Sequence, residues 1–166
     1  MNGQLVVSAP ETLLLTDDGR YPNSQLPVLL YRLAQMDELV AKLEARDWTN
    51  TWVNGIYSYH HYHSTAHELL VVLDGQATLV LGGDSGKRME LNKGMALVLP
   101  AGTAHKRLSA SRLFSVLGAY PRGQSYDLMV GEPDERPAAD ERIARVQQPT
   151  QDPFGVSQGG LLELWK

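Results

Sequence analysis

The chain has 166 residues, 43% of them hydrophobic and 20% charged, which fits one ordinary domain able to bury its own core and excludes disordered, collagenous and low-complexity classes. Lys and Arg number 15 against 19 Asp and Glu, a net charge of −4 with neither sign gathered into a block, so the basic footprint of a nucleic-acid or anionic-membrane binder is missing. The absence of cysteine excludes disulfides, thiolate metal sites, iron–sulfur clusters and cysteine nucleophiles.

Residues 1–10 carry neither the basic start nor the apolar core of a leader, and the longest apolar runs, 69–73 and 95–100, are far short of the ~20 residues that cross a bilayer. A cytoplasmic protein with no nucleic-acid or membrane partner is expected. Pro10, Asp17-Asp18-Gly19, Pro22 and Asn23 make the opening turn-rich, an arm on a core, with short strands only at 13–15 and 26–31. From 33 to 43 the apolar residues Leu33, Met36, Leu39, Val40 and Leu43 recur at spacings of three and four, which predicts one short amphipathic helix.

After Trp48 short runs rich in Val, Leu, Tyr and Thr alternate with Gly, Asp or Pro. They predict strands near 55–63, 68–73, 76–81, 88–91, 96–99, 105–108 and 113–120. A spacing of about ten residues, with tight turns at Asp74-Gly75 and Gly82-Gly83-Asp84, argues for an antiparallel sandwich or barrel; a parallel sheet would need helices between its strands. The tail from Pro121 is broken by four further prolines, with room for a short helix around 139–146 and an apolar stretch at 161–165 that can return to the body. The expected organisation is a single domain over 1–166, with arm and helix in 1–51, core in about 52–120 and tail in 121–166.

The five histidines are His60, His61, His63, His67 and His105, four of them inside eight residues. Alternation along a strand puts His61 and His63 on one face, with Tyr57 and Tyr59, and turns His60 and Tyr62 the other way. Two imidazoles on one face can chelate one ion. The turn Ser64-Thr65-Ala66 brings Glu68 alongside them as a carboxylate donor, and the segment from Gly94 through Pro100 and Gly102 leads to His105, which is available as a fourth.

These residues resemble both motifs of the cupin superfamily. Gly55, His61, His63, Glu68 and Gly75 fill every position of the first: Gly, five residues, His-x-His, four residues, Glu, six residues, Gly. Gly94, Pro100, Gly102 and His105 fill the second, which departs only at its end, where Ser109 stands in place of Asn. The resemblance implies an all-β fold, a cupin double-stranded β-helix or jelly-roll barrel, holding one divalent metal through His61, His63, Glu68 and His105. A narrower resemblance, to the YjlB-type cupins, runs through Asp17-Asp18-Gly19, the stretch 26–32, the stretch 52–57, His61-Tyr62-His63-Ser64, His67-Glu68 and Gly118-Ala119-Tyr120-Pro121. That family is largely without an assigned reaction.

Three imidazoles and one carboxylate suit Fe, Mn, Ni, Zn or Cu, with open coordination positions for water, dioxygen or a substrate oxygen pair. His60 and His67 face away and are expected to orient ligands by outer hydrogen bonds. Tyr59 and Arg107 are the candidate catalytic residues: Tyr57 and Tyr59 share the face of His61 and His63, and Arg107 that of His105. The tyrosines are otherwise ordinary core and the arginine one half of an ion pair. Trp48, Trp52 and Trp165 read as packing residues. The functional expectation is a metal-dependent oxygenase, isomerase or lyase acting on a small polar or carboxylated molecule. The alternatives are a metal-dependent metabolite-binding or sensing protein, or a metal that only braces the barrel; a homodimer is the assembly left open.

Overall fold

The apolar runs that begin at Leu69 and Met95 have two faces to bury, and the fold supplies a layer for each. The computed structural model describes residues 5–166; the first four, part of the 1–10 stretch read for a leader, lie outside it. Among the described residues the strands are β1 Glu11–Leu13, β2 Val28–Arg32, β3 Trp48–Asn54, β4 Glu68–Asp74, β5 Gln76–Leu81, β6 Lys87–Asn92, β7 Met95–Leu99, β8 His105–Ala110 and β9 Ser115–Pro121. They form two antiparallel sheets, a six-stranded one in the order β1-β2-β7-β4-β9-β3 and a three-stranded one in the order β6-β5-β8.

Leu70, Val72, Leu97 and Val116 point from the large sheet onto Leu79, Leu81 and Leu91 of the small one, forming the core between the sheets. Their neighbours Leu69, Val71, Val98 and Ala119 point the other way. That outer face is covered by Leu39 and Leu43 of helix α1 (Leu39–Ala45) and by Phe154, Leu161 and Trp165 of the tail. Burial on both faces explains why β4 and β7 read as unbroken apolar runs rather than alternating ones. This is the expected all-β jelly-roll. No helix among the described residues is long and apolar enough to cross a membrane.

Three expectations shift in detail. The helix predicted over 33–43 is confined to α1, because Glu38 takes a left-handed conformation (φ 51°) just ahead of it; Leu33 and Met36 reach the same core from the preceding turn. The strand expected at 55–63 is absent, and the strand that pairs with β9 is β3, immediately before it. The stretch 55–63 instead crosses from the edge of the large sheet to the edge of the small one, paired through single bridges at His61 and Tyr62, an Arg107 N–H to Tyr57 carbonyl bond of 3.0 Å and a Gly102 N–H to His63 carbonyl bond. The arm, for its part, supplies β2 to the interior of the large sheet, between β1 and β7.

The tail carries helix α2 (Ala138–Arg145) and a short helix α3 (Leu161–Leu164), and it is tied down by buried polar contacts. The Trp48 indole donates to the Gln151 carbonyl at 3.0 Å and the Trp165 indole to the Pro27 carbonyl at 2.9 Å. Asp152, only 3% exposed, accepts from the Tyr31 hydroxyl at 2.7 Å and from the amides of Phe154 and Leu161 at 2.8 and 2.9 Å. Asp152→Ala removes all three hydrogen bonds at once and leaves buried donors unpaired. Urea unfolding should show a loss of about 3 kcal/mol, the range for a charged hydrogen-bonding group and its orphaned partners. A loss under about 0.5 kcal/mol would mean that the tail is held by apolar packing alone.

Candidate functional site

At one end of the sandwich the two sheets each contribute a polar residue to an otherwise apolar interior. Glu68 opens β4 in the large sheet and His105 opens β8 in the small one. The crossing segment completes the group: His61 exchanges backbone hydrogen bonds with His105 in both directions, at 3.1 and 2.9 Å. The β7–β8 turn fixes the level of His105. Gly102 in that turn has φ +97° and donates its N–H to the His63 carbonyl at 2.8 Å; a Cβ there would sit 2.3 Å from the Asn23 carbonyl oxygen. Only glycine fits both the angle and the space.

One ring nitrogen of each of His61, His63 and His105 lies within 4.8 Å of the others, and all three residues are buried. Each Nδ1 faces a backbone carbonyl: Tyr59 at 2.9 Å for His61, Asp127 at 2.6 Å for His63 and Thr103 at 3.0 Å for His105. A carbonyl only accepts, so Nδ1 carries the proton in all three rings and a neutral imidazole leaves its Nε2 lone pair turned inward.

Glu68, 3% exposed, places Oε2 3.4 Å from Nε2 of His63 and Oε1 3.3 Å from Nε2 of His105. With Nδ1 protonated these are lone pairs facing a carboxylate, and Oε1 is buried without a hydrogen-bond partner among the described residues. Acceptors packed together this way call for a cation. The site thus fits a divalent ion bound by imidazole and carboxylate. Glu68 reaches two of the three histidines; it makes no ion-pair contact with His61.

The titration behaviour has the same origin. Burial, with the neighbouring imidazoles of His105 and His63, drives the pKa of His61 down to about 3. At His63 burial also opposes the proton, but the Glu68 carboxylate and the bonded Asp127 carbonyl outweigh it, and its pKa rises above the ordinary value. Burial of Glu68 disfavours its charge, yet His63 and His105 hold its pKa well below the usual carboxylate range.

Residues outside the histidine motifs complete the site. The Tyr120 hydroxyl donates to Glu68 Oε2 at 2.7 Å, and the Trp52 indole donates to the Tyr120 oxygen at 2.7 Å. Trp52 lies so close over Gly118 that a Cβ there would meet its ring at 2.2 Å. Tyr126 stacks on Tyr120 with ring centroids 4.7 Å apart and presents its edge to His63. The tail segment around Asp127 straps down the His63 loop: its carboxylate accepts from the Ser64 amide at 2.6 Å and from the Ser64 hydroxyl, and Arg142 donates to that hydroxyl at 2.8 Å. The cavity over the site has a volume of about 350 Å³, the scale of a small-molecule pocket.

Arg107 and Tyr57 line this cavity. The two tyrosines are not the core residues of the bland expectation, because no strand forms there to turn them inward. Tyr57 is 53% and Tyr59 42% exposed, stacked on each other at the rim, and the Tyr59 ring is not part of the lining. Tyr59 instead serves through its carbonyl, which orients His61. His60 contacts Asp84 at 3.0 Å, away from the site. His67 packs against Trp165 and accepts from the Ala101 amide at 2.9 Å. Trp48 and Trp165 pack as expected, whereas Trp52 belongs to the site.

The Cupin domain family model matches residues 50–111. The "Uncharacterized protein YjlB" of Bacillus subtilis (strain 168) is 40% identical over 158 residues, covering 93% of this chain and 96% of its own length. Looser likenesses exist to solved structures. The TDP-quinovose 3,4-ketoisomerase WlaRB of Campylobacter jejuni is 14% identical, over 58% of this chain and 75% of its own, with a TM-score of 0.43. The acireductone dioxygenase of Bacillus anthracis, solved with cadmium in its active centre, is 16% identical, over 57% of this chain and 59% of its own, with a TM-score of 0.37.

Burial lowers the pKa of His67 from 6.5 to about 4, so across that window the unfolded chain binds a proton that the folded chain refuses. Stability is therefore lost as the pH falls from about 6.5 towards 4, with His67 accounting for up to about 3 kcal/mol. His67→Asn keeps an acceptor for the Ala101 amide and removes the titration. Urea unfolding of the metal-free protein at pH 7 and pH 4.5 should show a smaller acid loss in the variant than in the parent; equal losses would remove His67 from the acid response.

Proposed function

The chain belongs to the cupin superfamily, as a YjlB-type cupin, and from that premise we propose that it is a metal-dependent enzyme acting on a small polar or carboxylated molecule. In this reading His61, His63, Glu68 and His105 hold one divalent transition metal. The observation that carries it is the convergence of three imidazoles, each with Nδ1 tied to a carbonyl, on a buried carboxylate that has an unpartnered oxygen. A brace for the fold needs no cavity; here the ligands form the floor of one of about 350 Å³.

The ion, iron, manganese, nickel, zinc or copper, supplies a Lewis-acid position for a substrate oxygen pair or a place for dioxygen to bind, which fits oxygenase, isomerase or lyase chemistry. The chain's residues do the rest. The three carbonyl contacts lock imidazole tautomer and orientation in advance, so the site is ordered before anything binds. Tyr120 and Trp52 hold the Glu68 carboxylate from behind and keep its rotamer fixed. Trp52, Tyr57 and Tyr126 wall the cavity with aromatic surface that excludes water from one side of a bound molecule.

Protein purified without chelators should hold about one divalent metal per chain, and His61→Ala, His63→Ala and His105→Ala should each lose most of it, because removing one ligand loses a bond and the preorganisation of the others. Elemental analysis that finds parent and variants equally loaded would overturn the ligand assignment. Turnover is a separate measurement. Fe(II)- or Mn(II)-loaded protein should consume dioxygen or form product with at least one member of a panel of keto acids, diketones and sugars. Saturable binding across the panel with no product from any member would replace the enzyme by a metabolite-binding protein.

A further inference from the structure

Arg107 is the one cationic side chain among the residues lining the site cavity, and Glu68 is the one carboxylate. Strand register explains why an arginine points inward. Arg107 pairs with Leu79 of β5 and His105 with Leu81, and both leucines are fully buried in the core between the sheets. Directly paired residues share a face, so the guanidinium is directed to the same interior as the imidazole two residues before it. Lys106, paired with Val80, takes the opposite face.

No carboxylate among the described residues lies within 4.0 Å of Arg107, and no hydrogen bond leaves its guanidinium. Arg136 shows what a satisfied fork looks like: it bonds both oxygens of Asp17 and both of Asp140. Glu68 turns both oxygens towards the imidazoles and accepts from the Tyr120 hydroxyl, and it lies beyond 4.0 Å of the Arg107 guanidinium. A half-buried, unpaired guanidinium on an aromatic-walled cavity is costly unless a ligand brings the anion.

A charge count sharpens this, resting on the metal reading above. A divalent ion with three neutral imidazoles and one carboxylate leaves a formal +1, and Arg107 raises the cavity to +2. We infer that the substrate is a dianion with two separated anionic groups. One is a chelating oxygen pair placed at the histidines, and the other is a terminal carboxylate gripped by the Arg107 fork. A monoanion would satisfy one pole and leave the other exposed to an apolar wall. The fork favours a planar carboxylate, which it meets with two parallel hydrogen bonds.

Chelating hydroxamates of two lengths, each with and without a terminal carboxylate, test this without knowledge of the reaction. Succinic and glutaric monohydroxamates would be compared with butyrohydroxamate and valerohydroxamate by calorimetry on Zn(II)-loaded protein, with metal content measured before and after. The carboxylate-tailed probe should bind at least tenfold tighter at one of the two lengths. Arg107→Leu should abolish that preference while binding the apolar-tailed probe as before, and Arg107→Lys, which keeps the charge but not the fork, should retain part of it. Equal affinity for both tails in metal-loaded parent protein overturns the dianion assignment alone. A preference that survives in Arg107→Leu overturns the role of Arg107. Protein that takes up no metal overturns the metal reading, and the dianion assignment with it.

Discussion

A carboxylate buried to 3% exposure has to be compensated, and the end of the sandwich that holds the site is built around that requirement at Glu68. The residue opens β4, the strand with both faces buried, and lies at the floor of the cavity with almost no exposed surface of its own. Three groups converge on it: the His63 imidazole from the crossing segment, the His105 imidazole from the small sheet, and the Tyr120 hydroxyl from the adjacent strand β9. Each arrives from a different part of the chain. The site therefore exists only once the sheets have closed on each other.

The tail and the arm, which look peripheral in the sequence, are what make that closure hold. They cover the outer face of the large sheet with Leu161, Trp165 and Phe154, which allows β4 to be apolar on both sides and therefore central. They also reach the site directly. The Asp127 carbonyl orients His63, Gln124 accepts from the His67 amide at 3.1 Å, and Asn23 of the arm bonds the Ala104 amide just ahead of His105 at 3.1 Å. Shape and chemistry are thus supported by the same segments.

The histidine pattern was legible because it depends on the shortest-range rule in protein structure, that alternate residues of an extended chain share a side. His61 and His63 obey it although no continuous strand forms there, since the bridge to His105 keeps the backbone extended where it matters. Arg107 was legible for a better reason: it lies in a real strand with a real partner. Tyr59 was misplaced because the same rule was carried past the end of the paired region. Tyr120 was missed because its bond to Glu68 follows from the register of β4 against β9, Leu70 opposite Gly118, and nothing local in either strand specifies that register. Tyr126 and Asp127 lie in a stretch with neither periodicity nor turn signature, so their position depends wholly on how the tail folds back.

Electrostatics links these observations to how the protein holds together. The Glu68 carboxylate raises the pKa of His63, while burial lowers those of His61 and His67. A divalent ion would compensate that carboxylate, drawing the crossing segment, the β7–β8 turn and β4 to one point. The crossing segment is the least tied of the three, since residues 55–63 are held by bridges rather than a ladder, whereas β4 is paired on both sides. Energy gained by binding an ion there would therefore also fix the wall carrying Tyr57 and the strand carrying Arg107. A metal held at the histidines would thus be linked to Arg107 through the backbone, because the Arg107 amide bonds the Tyr57 carbonyl only four residues ahead of His61.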